Sequence, residues 1–170
     1  SAKKTISAEQ LVVATGRVPN TRTLRLETGG VAVTPRGGII VDNRLQTSNK
    51  KVFATGDCTG QALFAHAAKR EVEIVLHNLT STKKREMNFD LMPWAVFTDP
   101  AVSGIGHSEQ SATKAKISYE TLTAPFTKAG RATVIGDTRG FVKVLYVKKT
   151  KKIIGATIIG CLIFNNFFKI

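Results

Sequence analysis

The chain has 170 residues, 42% of them hydrophobic, with two cysteines, Cys58 and Cys161; wholesale disorder and a disulfide scaffold are thereby set aside, and one or two small domains in a reducing, cytoplasmic setting are expected. No apolar run reaches the ~18 residues that cross a bilayer and no signal peptide opens the chain, so a soluble protein with no membrane partner is expected. Twenty-five Lys+Arg against 12 Asp+Glu give a net charge of +13, which raises nucleic acid or another anionic surface as a partner.

In chain order, residues 11–14 are all apolar and read as a strand, broken by Thr15-Gly16-Arg17-Val18-Pro19-Asn20. Gly16 permits a tight turn, and Pro19 disfavours helix before it. Residues 21–26 suit one short helical turn. Gly29-Gly30 and Gly37-Gly38 bracket a hairpin-like segment, and 39–42 read as a strand. Residues 52–55 read as another, ended by Gly56-Asp57. A helix is expected over about 62–79, where Leu63, Ala67, Ile74 and Val75 fall on helical spacing. Residues 80–92 are polar and charged and read as a linker.

Beyond it the texture changes. Strands are expected over 94–97 and 102–105, separated by Thr98-Asp99-Pro100. Ser108 is placed to cap a helix reaching about Lys116. Residues 119–125 form a third strand, 141–146 alternate as a fourth, and 153–159 follow as a fifth. Lys148-Lys149-Thr150-Lys151-Lys152 falls between the last two and reads as a hairpin loop that keeps an edge soluble. The second half is therefore a small antiparallel α+β unit.

The positive charge is spread, with 11 basic and 6 acidic residues in 1–80 and 14 and 6 in 81–170. Neither Lys83-Lys84-Arg85 nor the 148–152 cluster has interleaved aromatic residues, so nucleic acid is disfavoured as a partner and a solvated surface is the plainer reading. Phosphate-binding glycine fingerprints are absent; Gly104-Ile105-Gly106 reads as a tight turn. His66, His77 and His107 lack metal-ligand spacing, neither cysteine has a CxxC partner, and no metal site is expected. The segment 47–58 is more distinctive. An aspartate such as Asp57, at the end of a strand and before a helix, can accept hydrogen bonds from ligand hydroxyls, while the helix N-terminus offers free N–H groups. On chemistry alone, a helix-capping Asp57 on a turn remains the alternative.

Ala14-Thr15-Gly16-Arg17-Val18-Pro19-Asn20, then Thr47-Ser48 with Val52-Phe53-Ala54-Thr55-Gly56-Asp57-Cys58, then Pro93 with Val96-Phe97-Thr98-Asp99-Pro100, resemble three signatures of the flavin-dependent pyridine nucleotide–disulfide oxidoreductases, in the family's order and spacing. The resemblance covers about residues 6–160. Gly56-Asp57-Cys58-Thr59, the stretch 29–42 and Asp137-Thr138-Arg139-Gly140-Phe141 are most similar to the mercury(II)-reducing branch, with the dihydrolipoamide dehydrogenase branch as the alternative.

The resemblance implies an α/β plus α+β protein: the C-terminal part of an FAD-binding domain over 1–82, a linker over 83–92, an antiparallel-sheet dimerisation domain over 93–160, and a divergent tail over 161–170. It implies that Thr15, Gly16 and Arg17 form the crossover beside FAD, that Gly56 and Asp57 hold its ribityl and pyrophosphate region, and that Ala65 and His66 lie along the flavin ring. It also implies a homodimer, NADPH as reductant, and Hg(II) or a disulfide as substrate of a larger parent enzyme. The family's glycine fingerprints and its C-x4-C redox pair are absent from this chain, which is therefore expected to be a catalytically inactive fragment with an incomplete FAD site. A basic, non-catalytic interaction module is the reading from a different class.

Overall fold

The computed structural model describes residues 4–160; the expected tail over 161–170, with Cys161, lies outside them. The chain divides into two compact units between Arg85 and Glu86. Among the described residues no helix is long and apolar enough to cross a membrane.

In the first unit the expected helical turn is a pair of 3-10 turns, Arg22–Leu24 and Leu26–Gly29, hinged at Arg25 with φ 46. Val31, Ile39 and Ala54 are buried together, with Leu26, Val41, Val52 and Cys58 packed against them. The strands expected over 39–42 and 52–55 are reduced to single bridges, Val33 with Ile39 and Gln46 with Phe53. The reason lies in the changing partners. Ile39 N–H donates to Cys58 O and Ile40 N–H to Ala32 O, while Ala54 N–H donates to Leu45 O, so no two consecutive pairs share one neighbouring strand.

The strand expected over 11–14 does not form. Leu11 and Val12 are each 87% exposed, and no bridge among the described residues pairs this stretch. An apolar run becomes a strand only where a neighbour takes its N–H and C=O groups.

Helix α1 is Ala65–Thr80. It begins three residues later than the expected 62 because Phe64 is extended, with φ −132 and ψ 138. Its buried stripe is Ala67, Glu71, Ile74 and Asn78, so two polar residues share the inward face with two apolar ones. Asn78 clamps the following segment: its Nδ2 donates to Arg85 O at 2.8 Å and its Oδ1 accepts from Arg85 N–H at 2.7 Å. Lys84 Nζ donates to the carbonyls of Asn78 and Ser81 at the helix end, where a cation suits the helix dipole. The start of the expected open linker is thus folded back onto α1.

The second unit is built on a five-stranded antiparallel sheet of order β1-β2-β5-β4-β3. Its strands are β1 Trp94–Val96, β2 Val102–Gly106, β3 Tyr119–Pro125, β4 Phe141–Val147 and β5 Ile153–Ile159. The lysine cluster is the turn between β4 and β5, as expected. Gly104-Ile105-Gly106 is not a tight turn but the end of β2. Glycine is required at Gly104 by close approach: a Cβ there would lie 2.7 Å from Cζ2 of Trp94.

Helix α2, Glu109–Lys114, opens on the expected Ser108 cap. The Ser108 side chain accepts from Ser111 N–H, while Ser111 Oγ accepts from Ser108 N–H. The helix stops two residues before the expected Lys116, which itself turns left-handed with φ 55. Helix α3, Gly130–Ile135, has no counterpart in the sequence reading. It starts on glycine and carries β-branched Thr133, Val134 and Ile135, all weak helix formers. Its inward Ala132 is fully buried, so packing rather than propensity holds it.

Candidate functional site

The residues singled out around Asp57 lie in the first unit. Gly56–Thr59 is a 3-10 turn closed by Thr59 Oγ1 donating to Gly56 O at 2.9 Å. Gly56 adopts φ 79, which an L side chain rarely takes. Gly60 has φ 72 and donates its N–H to Asp57 O. A Cβ on Gly38 would lie 2.6 Å from Thr59 O, so the backbones of 38 and 59 touch only because 38 is glycine.

Asp57 projects outward from this turn with its side chain 55% exposed. It does not cap α1, which starts eight residues later at Ala65 and carries no side-chain cap at its N-terminus. Instead Arg17 Nη1 donates to Asp57 Oδ2 at 3.1 Å, and Arg17 Nη2 donates to Leu63 O at 2.6 Å. One guanidinium therefore ties the 14–20 segment both to the Asp57 turn and to the approach to α1. Gly16 precedes it with φ 110 and open space around its Cα, and Thr15 is exposed.

Ala65 is exposed on the first turn of α1, and the His66 ring stacks on Phe64 with centroids 5.4 Å apart. Thr15, Gly16, Arg17, Gly56 and Asp57 are thus joined through one ion pair, while Ala65 and His66 begin the helix that follows. A cleft of about 610 Å³ opens beside them, lined by Arg17, Pro19, Arg36, Thr59, Gln61 and Leu63 among others. Asp57, Ala65 and His66 are outside that lining.

Two groups beneath the turn have altered acidity. Cys58 is half-buried, its Sγ donating to Thr55 O at 3.2 Å, and burial pushes its thiol up. Glu71, wholly buried in α1, accepts the Gly56 N–H at Oε2. Burial raises its carboxyl above the ordinary range; the Gly56 hydrogen bond pulls the other way and the Asp57 charge adds to the rise. Sequence reading passed over Glu71. Its signal was positional: it stands four residues after Ala67 and three before Ile74, on the stripe already read as inward.

Residues 1–72 match the family profile described as pyridine nucleotide-disulphide oxidoreductase, and residues 92–163 match the dimerisation domain of the same family. The chain belongs to the pyridine nucleotide–disulphide oxidoreductases. It is 36% identical over 158 residues to the mercuric reductase of Staphylococcus aureus, a match covering 93% of this chain and 29% of that protein. It is 34% identical over 155 residues to the probable pyridine nucleotide-disulfide oxidoreductase RclA of Escherichia coli, covering 91% of this chain and 35% of that one. The solved structure of RclA, a HOCl-induced flavoprotein disulfide reductase from Escherichia coli, superposes with a TM-score of 0.75 at 34% identity, over 86% of this chain and 34% of that chain. The chain therefore spans about a third or less of the length of these relatives. Its fold is a part of the family's FAD-binding domain followed by the antiparallel dimerisation domain.

Proposed function

We propose that this chain supplies the second part of an FAD site and the dimer-forming domain of an NADPH-dependent oxidoreductase that reduces Hg(II). The observation that carries the cofactor reading is the outward carboxylate of Asp57, on a glycine-shaped turn and joined by Arg17 to the Thr15-Gly16 segment. An ionised, half-exposed carboxylate is an acceptor for ligand hydroxyls, and the uncapped N-terminus of α1 offers N–H groups to an electron-rich ring or phosphate. These donors and acceptors fit the ribityl and pyrophosphate parts of FAD. In this reading Asp57 accepts from the ribityl hydroxyls, and Gly56 keeps the turn free of a side chain. Gly16 lets the crossover backbone approach, and Ala65 and His66 border the flavin. FAD, when bound, supplies the hydride and electron transfer; the protein contributes position and electrostatics.

The domain assignment within this reading is 1–82 for the FAD-binding part, 83–92 for the connection and 93–160 for dimerisation, with a homodimer as the assembly. The sparse cysteines support a cytoplasmic location. The Hg(II) assignment is supported by the similarity to the Staphylococcus aureus mercuric reductase. A disulfide substrate is the second reading, favoured by the comparable identity to RclA.

Fluorescence titration of the purified chain with FAD, against FMN as control, tests the cofactor reading. Saturable FAD binding that Asp57→Ala weakens is expected; equal titration curves for Asp57→Ala and the unaltered chain would overturn the role of Asp57. The purified chain is expected to show no NADPH-dependent Hg(II) reduction. The coding sequence upstream tests the parent enzyme, where a C-x4-C pair and two glycine fingerprints are expected.

A further inference from the structure

Glu71 combines three features that a packing residue does not need. Its side chain is 0% exposed. One carboxyl oxygen, Oε2, accepts the Gly56 N–H, while the other, Oε1, is buried with no hydrogen-bond partner. And the amide it holds belongs to the residue directly before Asp57, at a left-handed φ of 79 that leaves a Cβ only 3.3 Å from the Cβ of Ala68.

A buried carboxyl with one oxygen unsatisfied is unfavourable compared with an apolar residue of similar size. Its return is the satisfied Gly56 amide, which is itself buried. Without an acceptor on α1 that N–H would be orphaned, and the turn would gain by rotating it toward water. Rotation at Gly56 would swing Asp57 with it.

We propose that Glu71 is a positioning residue: by fixing the Gly56 amide it sets the direction in which Asp57 presents its carboxylate to a polyhydroxyl cofactor. The proposal rests on the reading of Asp57 as a cofactor ligand. Burial raises the Glu71 carboxyl above the ordinary range and so favours its protonated form. The nearby Asp57 charge raises the Glu71 carboxyl further. Gln keeps the neutral acceptor, whereas Leu keeps the bulk and loses it.

The experiment compares the 170-residue chain with Glu71→Gln and Glu71→Leu, reading amide hydrogen exchange residue by residue alongside FAD titration. In Glu71→Leu the Gly56 amide is expected to exchange roughly tenfold faster or more, with Ile74 unchanged, and FAD binding to weaken by a comparable factor. Glu71→Gln is expected to restore both. Equal Gly56 protection in Glu71→Leu and the unaltered chain overturns the proposal, as does a folded Glu71→Gln that loses as much as Leu. If Leu disrupts α1 as a whole, Gln alone decides by the same criterion. A chain that fails to bind FAD yet shows the exchange pattern supports the positioning of the turn by Glu71 independently of the cofactor reading of Asp57.

Discussion

Arg17 and Asp57, forty positions apart, meet in an ion pair of 3.1 Å whose second guanidinium nitrogen reaches the carbonyl of Leu63. The pair joins two of the motifs that mark the family. Its side chains are 60% and 55% exposed, so its energetic weight is small. Arg17→Ala is expected to change unfolding free energy by less than about 1 kcal/mol, read from the urea midpoint. Its effect should instead be local: faster proteolysis within 14–20, where exposed apolar residues leave this contact as a main tether.

The raised pKa of Glu71 gives stability a definite pH slope. A carboxyl whose folded pKa lies above its unfolded value near 4.5 binds more protons folded than unfolded between those two values. Its contribution is complete below 4.5 and falls as pH rises through the window above it, by at most about 1.4 kcal/mol per pH unit. Glu71→Gln removes this slope. Urea unfolding at pH 5 and pH 8 is expected to show Glu71→Gln gaining on the unaltered chain at the higher pH; a parallel pair of pH profiles would contradict the burial of an ionisable Glu71.

Gly104 is the tightest glycine beside the single tryptophan. A Cβ there would lie 2.7 and 2.9 Å from two Trp94 ring atoms and 3.1 Å from Ala156 O. Gly104→Ala must displace the ring or open the β2–β5 pairing. A loss of about 1–3 kcal/mol is expected, with a shift in Trp94 fluorescence that the unaltered protein shows only on unfolding.

Arg139 holds Asp137 and Asp99 together, at 2.8 and 2.9 Å, across the surface of the second unit. Its hydrogen bonds lower the Asp137 carboxyl from its ordinary 3.8 to about 2. A depressed carboxylate stabilises the fold above pH 3.8 and loses that contribution as pH falls through 2. The Asp137 carboxyl carbon should titrate near 2 by NMR, and Arg139→Ala should return its midpoint to the ordinary range.

The second unit was largely legible in sequence. Its strands alternate or run apolar between turn residues, Ser108 marks a helix start, and the lysine cluster falls where a hairpin must turn; local pattern and tertiary pairing agree there. Helix α3 was not legible, because its residues are poor helix formers held by a buried alanine. In the first unit the same reading failed for 11–14, where apolar composition says nothing about whether a partner strand is present. The candidate site was readable as a motif at Gly56-Asp57 but not as geometry.

The sequence by itself carried three motifs that resemble the family's signatures, and with that resemblance the expected order of the two parts and Asp57 as a candidate ligand. These are properties of residue type and separation along the chain, and they survive without coordinates. Only the tertiary structure decided that Asp57 pairs with Arg17 rather than capping α1, and that Glu71 lies beneath Gly56. Both depend on the φ of a glycine and the phase of a helix, which bring together atoms that the chain keeps fifteen to forty residues apart.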